Sequence, residues 1–185
     1  YSTLMRYTDT YGNVEPDLLA SREVADDFRT FTLTIRDDAT FHASGKAVTA
    51  ADVVYSLNRI REIGIRAEPL ATLSSIEATD EHTVVMKFDK PMSPLLTYLA
   101  HPMYAIVDRD VVEANAGDLG GVDAGSGPFS LVRWDRNRAL VLEKHEAYHA
   151  DGLPKLDRVT YRPIPDETAR TTALVSGDVH AVDKL

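Results

Sequence analysis

The stretch FTLTIRDDATFHASGKAVTAADVVYSL, Phe31 to Leu57, decides the fold. Phe31, Leu33 and Ile35 alternate with Thr32, Thr34 and Arg36, the period of two that marks a strand with one buried face. Asp37 and Asp38 end it, and a compact polar loop carrying Gly45 follows. Thr49 and Asp52 then stand at capping-box spacing, which satisfies exposed amide donors and sets negative charge at the positive end of a helix. Val53, Leu57 and Ile60 continue at helical spacing, so the pattern predicts a helix from Thr49 to about Arg61 with one buried stripe. A strand delivered through a short loop into a capped helix implies a mixed α/β architecture.

Outward from this stretch the punctuation is regular. Thr3 to Tyr7 reads as a strand end before the turn formers Asp9, Gly12 and Asn13. Thr83 to Phe88 predicts a strand with Val84, Met86 and Phe88 on one side. Ser93 and Pro94 open a second helix, with proline at the first helical position where no donor is needed. Val107 to Ala116 predicts a short helix stopped near Gly117. A glycine-rich segment, Asp118 to Pro128, precedes two strands, Phe129 to Trp134 and Ala139 to Lys144, joined as a hairpin through Asp135 to Arg138. Arg158 to Arg162 predicts a further strand, and Asp166 to Ser176 a helix with Gly177 as its cap. No internal repeat or low-complexity tract interrupts the chain.

At 185 residues the chain can bury one substantial core, as one domain or two small ones. Lys and Arg number 20 against 29 Asp and Glu, a net charge of −9 that repels a phosphate backbone and argues against nucleic acid. With no cysteine, disulfides, thiolate zinc sites and cysteine nucleophiles are excluded. No apolar run approaches the roughly 20 residues of a membrane helix, and no basic-then-apolar leader pattern stands at the start. The chain opens at Tyr1 in the middle of an apparent element, and reads as a processed or excised piece of a longer polypeptide.

Several motifs invite chemistry. His145-Glu146-Ala147-Tyr148-His149 is a literal H-E-x-x-H, which on a helix would set two imidazoles on one face to hold zinc, with the glutamate as base. Here it follows a strand and runs into Asp151, Gly152 and Pro154, leaving barely one helical turn, so a polar turn between strands is the expectation. Gly120, Gly121, Gly125 and Gly127 lack the lysine and hydroxyl of a phosphate loop and precede a strand rather than a helix, which favours a crossover between subdomains. No nucleophile elbow occurs around Ser126. His42, His82, His101 and His180 are scattered, as surface or hydrogen-bonded histidines are. Trp134, Tyr104, Tyr148 and Tyr161 could line a pocket, but aromatic residues at strand ends are more commonly core.

Two segments carry a resemblance. Phe31 to Ile35, Arg36, Asp37, Phe41, Gly45 and Thr49-Ala50-Ala51-Asp52-Val53 follow the hallmark strand, basic residue, acid, aromatic, glycine turn and T-A-x-D-V helix start of a known family. Gly125-Ser126-Gly127-Pro128-Phe129 matches that family's G-T-G-P-[FY] element with serine for threonine. Tyr148, Pro154, Leu156, Ile164, Pro165 and the run from Ala173-Leu174 to Gly177-Asp178 fit as well. The chain thus resembles the bacterial extracellular solute-binding proteins of family 5, which capture peptides, nickel complexes and related solutes for ABC importers.

The resemblance implies a periplasmic-binding-protein-like class II fold, present here as the first lobe without the second. An outer subdomain would span residues 8–121, while 1–7 and 122–185 contribute to an inner, hinge-proximal one. The implied function is non-catalytic: two lobes close on a solute, an oligopeptide first and a nickel or metallophore complex second, and dock on a membrane permease. No cofactor is implied. The protein would be periplasmic or extracellular and anchored at the cell surface as a lipoprotein. Ligand-binding positions are expected where chain segments return to the hinge, at His101, Met103 and Tyr104 and at Gly125 and Ser126, with His101 the residue to watch for nickel. The rivals are a zinc-dependent hydrolase built on His145, Glu146 and His149, and a sensory domain of a transcription regulator that borrows the fold.

Overall fold

A computed structural model of the chain describes residues 1–8, 12–65 and 67–183. Of the predicted turn formers near the start, Asp9 lies outside the described residues. Among the described residues, three antiparallel sheets and a small set of helices make up the fold. β1 (Met5–Tyr7) pairs with β2 (Val14–Pro16). β3 (Leu19–Val24), β4 (Thr30–Ile35), β5 (Leu73–Ala78) and β6 (Thr83–Phe88) form a four-stranded sheet in the order β3-β4-β6-β5.

The two central strands are those with clean alternation in the sequence. Phe31, Leu33 and Ile35 of β4 and Val84, Met86 and Phe88 of β6 are all buried, and Phe31 meets Phe88 edge to face at 5.7 Å between ring centroids. β3 and β5 are the edges, and neither was anticipated; nor was β2. Edge strands bury less, and the exposed run Ala20 to Glu23 of β3 leaves no apolar period to read.

α1 (Ala50–Ile63) covers one face of this sheet with Val53, Leu57 and Ile60, the predicted stripe. Its start is fixed by the Asp52 carboxylate, which accepts the Thr49 backbone N–H at 3.0 Å. It ends where Gly64 adopts φ +74° and returns its N–H to the Ile60 carbonyl, a left-handed cap that a side chain disfavours. The second helix is a single turn, α2 (Leu95–Tyr98), with Pro94 as its cap rather than its first residue, and a 3₁₀ turn, Pro102–Tyr104, follows. α3 (Arg109–Ala114) is capped by Asp108, whose carboxylate accepts the Asp110 and Val111 N–H groups. One continuous core runs from Leu4 through the sheet and α1 to Ile106.

Beyond residue 128 the packing changes. β7 (Phe129–Asp135), β8 (Ala139–Lys144) and β9 (Arg158–Tyr161) form a separate sheet, and α4 (Glu167–Val175) follows, capped by Asp166. Cross-strand partners share a face, as do alternate residues, so Leu131, Trp134, Leu140, Leu142, Val159 and Tyr161 form one apolar face. Trp134 is 46% and Tyr161 59% exposed, which corrects the expectation that both are core; Tyr104 alone of that group is buried at 3%. α4 likewise buries no residue. No helix among the described residues is long and apolar enough to cross a membrane.

Candidate functional site

The two segments predicted to contact a solute border the same stretch of chain, Tyr1 to Met5. On one side the Ile106 N–H donates to the Ser2 carbonyl at 3.0 Å and the Met5 N–H to the Leu99 carbonyl at 3.4 Å, which brings the 3₁₀ turn with His101, Met103 and Tyr104 alongside. On the other, Gly125 and Gly127 pack so tightly on Tyr1 that a Cβ at Gly127 would lie 2.6 Å from the Tyr1 nitrogen. Gly127 is required by close backbone approach, while a Cβ at Gly125 would meet the Tyr1 ring at 3.0 Å.

Within these segments the residues differ in what they offer. His101 caps the 3₁₀ turn, its Nδ1 accepting the Met103 N–H at 3.1 Å. Met103 is exposed and Tyr104 is turned into the core. The Gly125 carbonyl accepts the His42 N–H at 2.8 Å, and Ser126 is buried with its hydroxyl oxygen unpartnered among the described residues.

A histidine and carboxylate cluster adjoins this crossover, and sequence reasoning found only part of it. His42 is gripped at both ring nitrogens: Nδ1 lies 2.8 Å from Asp123 Oδ1, and Nε2 lies 2.8 Å from the Gly127 carbonyl. Asp123 also accepts the Gly125 and Leu131 N–H groups at 3.1 and 2.6 Å. Nearby, His149 Nε2 is 3.0 Å from Asp17 Oδ1, which the Tyr148 hydroxyl reaches at 3.3 Å, while the Thr3 N–H donates to Asp17 Oδ2 at 3.1 Å. Arg36, from the hallmark segment, pairs with Asp38 and donates to the backbone carbonyls of Asp17 and His149. His42 sits inside the segment that decided the fold, yet nothing local in the sequence names Asp123 or Asp17 as partners.

Electrostatics follow from this wiring. Burial alone would raise the carboxyl of Asp17, but the hydrogen bonds from His149 and Thr3 outweigh it and hold the group below the ordinary carboxylate range. Asp123 behaves alike: burial pushes up, while His42 and the Leu131 N–H pull further down. His145 is lowered, first by burial and then by the neighbouring His42.

The H-E-x-x-H residues do not form a zinc constellation. They lie in a turn after β8, where the Tyr148 N–H returns to the His145 carbonyl at 3.1 Å. Glu146 points to solvent and pairs with Lys144, His145 rests against the His42 ring, and His149 is taken by Asp17. Among the described residues no group of three or more His, Asp or Glu side chains is placed to hold a metal ion. An open cleft of about 500 Å³ between α1 and α3, lined by Tyr55, Arg59, Val112 and Gly117, includes none of the five predicted residues. Arg59 closes part of it by donating to the Gly117 carbonyl at 3.0 Å.

Relatives share this arrangement of elements. The structure of the binding protein AgaA from Agrobacterium tumefaciens in complex with agropinic acid superposes with a TM-score of 0.90 at 37% identity, covering 96% of this chain and 36% of that one. The periplasmic binding protein DppA of Helicobacter pylori in complex with peptide STSA gives 0.81 at 26% identity, covering 97% of this chain and 40% of that one. The probable D,D-dipeptide-binding periplasmic protein DdpA of Escherichia coli is 35% identical over 179 residues, 94% of this chain and 34% of its own length. The chain thus spans about a third of the length of the curated relatives it matches. The family model described as bacterial extracellular solute-binding proteins, family 5 Middle, matches residues 13–185. With the hallmark strand, loop and capped helix in place and that match running over nearly all of its length, this chain belongs to the bacterial extracellular solute-binding proteins of family 5.

Proposed function

We propose that the chain is the first lobe of a protein that captures an oligopeptide between two lobes and delivers it to an ABC permease. The observation that carries this reading is the uncovered apolar face of the β7-β8-β9 sheet, with Trp134 and Tyr161 about half exposed beside Leu140. A contiguous exposed apolar face marks a surface that a partner, further polypeptide or a ligand covers, and further polypeptide is the occupant in this reading. The relatives' greater length leaves room for such polypeptide, and in this reading a second lobe lies there.

Residues 8–121 form the outer subdomain in this reading, and 1–7 with 122–185 belong to the inner one. Closure of the lobes is driven only as far as the solute prefers the closed state. The peptide assignment rests on the D,D-dipeptide and STSA peptide relatives, with His101, Met103, Tyr104, Gly125 and Ser126 as the contacts on this lobe. The protein makes and breaks no bonds in the solute, and it works in the periplasm or at the extracellular surface, anchored there.

Calorimetric titration of the full-length protein with di- to pentapeptides, agropinic acid and a nickel–histidine complex tests this. Peptide binding weakened by Met103→Ala or His101→Ala supports it. Binding of the nickel complex alone, lost in His101→Ala, replaces the peptide with a metal complex as cargo. Turnover of a peptide by the protein overturns the non-catalytic reading.

A further inference from the structure

Three histidines from two parts of the chain meet where the three-stranded sheet joins the rest of the fold. His42 comes from the loop after β4, while His145 and His149 come from the turn after β8. His42 and His149 each hold a carboxylate, the partly buried Asp123 and the buried Asp17, and each pair crosses the joint. His145 holds none. Its ring stands edge-on to that of His42 with centroids 4.6 Å apart, and its Nε2 is buried with no hydrogen-bond partner among the described residues. Its own backbone is fixed, the N–H donating to the Pro128 carbonyl at 2.9 Å.

We propose that His145 is a proton-sensitive wedge, and that its protonation loosens the joint between the β7-β8-β9 sheet and the N-terminal elements. A neutral imidazole packs against His42 as an aromatic edge at little cost. An imidazolium there meets the His42 ring across an edge contact, with Nε2 aimed at no acceptor among the described residues, so the added charge is partly desolvated and lacks a hydrogen-bond partner at that nitrogen. Among the charged groups around it Asp123 favours the proton, but less than burial and His42 oppose it, and His149 opposes it too. From the N-terminal elements Asp17 is occupied by His149 and Thr3, Arg36 by Asp38 and backbone carbonyls, and Arg6 by Glu15. From the crossover, Asp123 is saturated by His42, Gly125 and Leu131. On its own turn Glu146 faces solvent beside Lys144, and Tyr148 is engaged with Asp17.

The direction follows. His145 takes up a proton less readily in the closed joint than in an opened one, because burial and then His42 oppose the charge. The opened state therefore gains protons first as pH falls below the ordinary imidazole value of 6.5, and the closed joint is favoured above it.

Amide exchange, followed by mass spectrometry and corrected for intrinsic rates, tests the device at about pH 7.5 and about pH 5.5, either side of the ordinary imidazole value. Protection of the peptides covering β7 and β8 is compared with that of α1 as an internal reference. In the wild-type protein the ratio should fall severalfold, and by no more than about tenfold, between the higher pH and the lower. His145→Asn should hold it constant. A wild-type ratio unchanged between the two conditions overturns the proposal regardless of how any variant folds. So does an undiminished fall in His145→Asn, because the proton would then act elsewhere. A ring titration of His145 by NMR, coincident in pH with the fall in protection, supports it.

Discussion

His149 and Asp17 lie 132 positions apart in the chain and meet at 3.0 Å with 2% and 7% of their side chains exposed. The pair ties the turn after β8 to the segment that follows β2, and the Thr3 N–H and Tyr148 hydroxyl complete the carboxylate's shell. A buried pair of this kind adds little over a well-packed apolar alternative, but removing one partner strands the other.

Asp17→Ala should therefore destabilise the protein by about 3 kcal/mol, the cost of leaving a buried partner uncompensated. Urea unfolding followed by circular dichroism measures it. A loss below about 0.5 kcal/mol, the range of ordinary surface substitutions, would show that the pair is solvated in solution.

Acid should weaken the fold through two carboxylates, the buried Asp17 and the partly buried Asp123. Asp17 and Asp123 both have folded values below the ordinary 3.8, so their contribution is present above that value and is lost as pH falls through the lower, folded values. Urea midpoints at falling pH should decline most steeply beneath 3.8, and Asp123→Asn should flatten the decline. An equally steep decline in that variant would assign the effect to other acids.

Gly127→Ala should cost about 1–3 kcal/mol, because the added methyl meets backbone atoms of Tyr1 that cannot rotate away. Gly64→Ala should cost about 1 kcal/mol for a different reason, the φ of +74° at the end of α1 with open space around it. Thermal melts of the two variants measure the two losses, and a compensating Tyr1→Gly rescues neither, since the clash at Gly127 is with main chain and the cost at Gly64 lies in its own φ.

Leu57→Ala should cost about 2–5 kcal/mol, since the side chain is fully buried between α1 and the four-stranded sheet. Val175→Ala, 83% exposed on α4, should leave urea stability of this chain unchanged. In a longer polypeptide carrying a second lobe, a measurable loss at Val175 would show that α4 is covered there.

Much of the fold is legible in the amino-acid order alone. The central strands β4 and β6 show clean alternation because one face of each is buried, and α1 declares itself through Thr49, Asp52 and the stripe Val53, Leu57 and Ile60. The hairpin of β7 and β8 is legible from its turn, where Asn137 takes φ +63°. β3 and β5 are not, because each buries only one residue, Leu19 or Leu73, and both carry bulges that break the period.

The site divides in the same way. By itself the sequence determined the family, the α1 cap and the failure of His145 to His149 to make a helix, since each depends on residues within a few positions of one another, whereas the need for glycine at Gly127 comes from Tyr1, which only the fold brings against it. Only the tertiary structure decided that His42 grips Asp123, that His149 takes Asp17, and that His145 Nε2 is left without a partner among the described residues. Those partners are 81 and 132 positions apart in the chain, and hydrogen bonding between side chains depends on separation in space, which local periodicity does not encode.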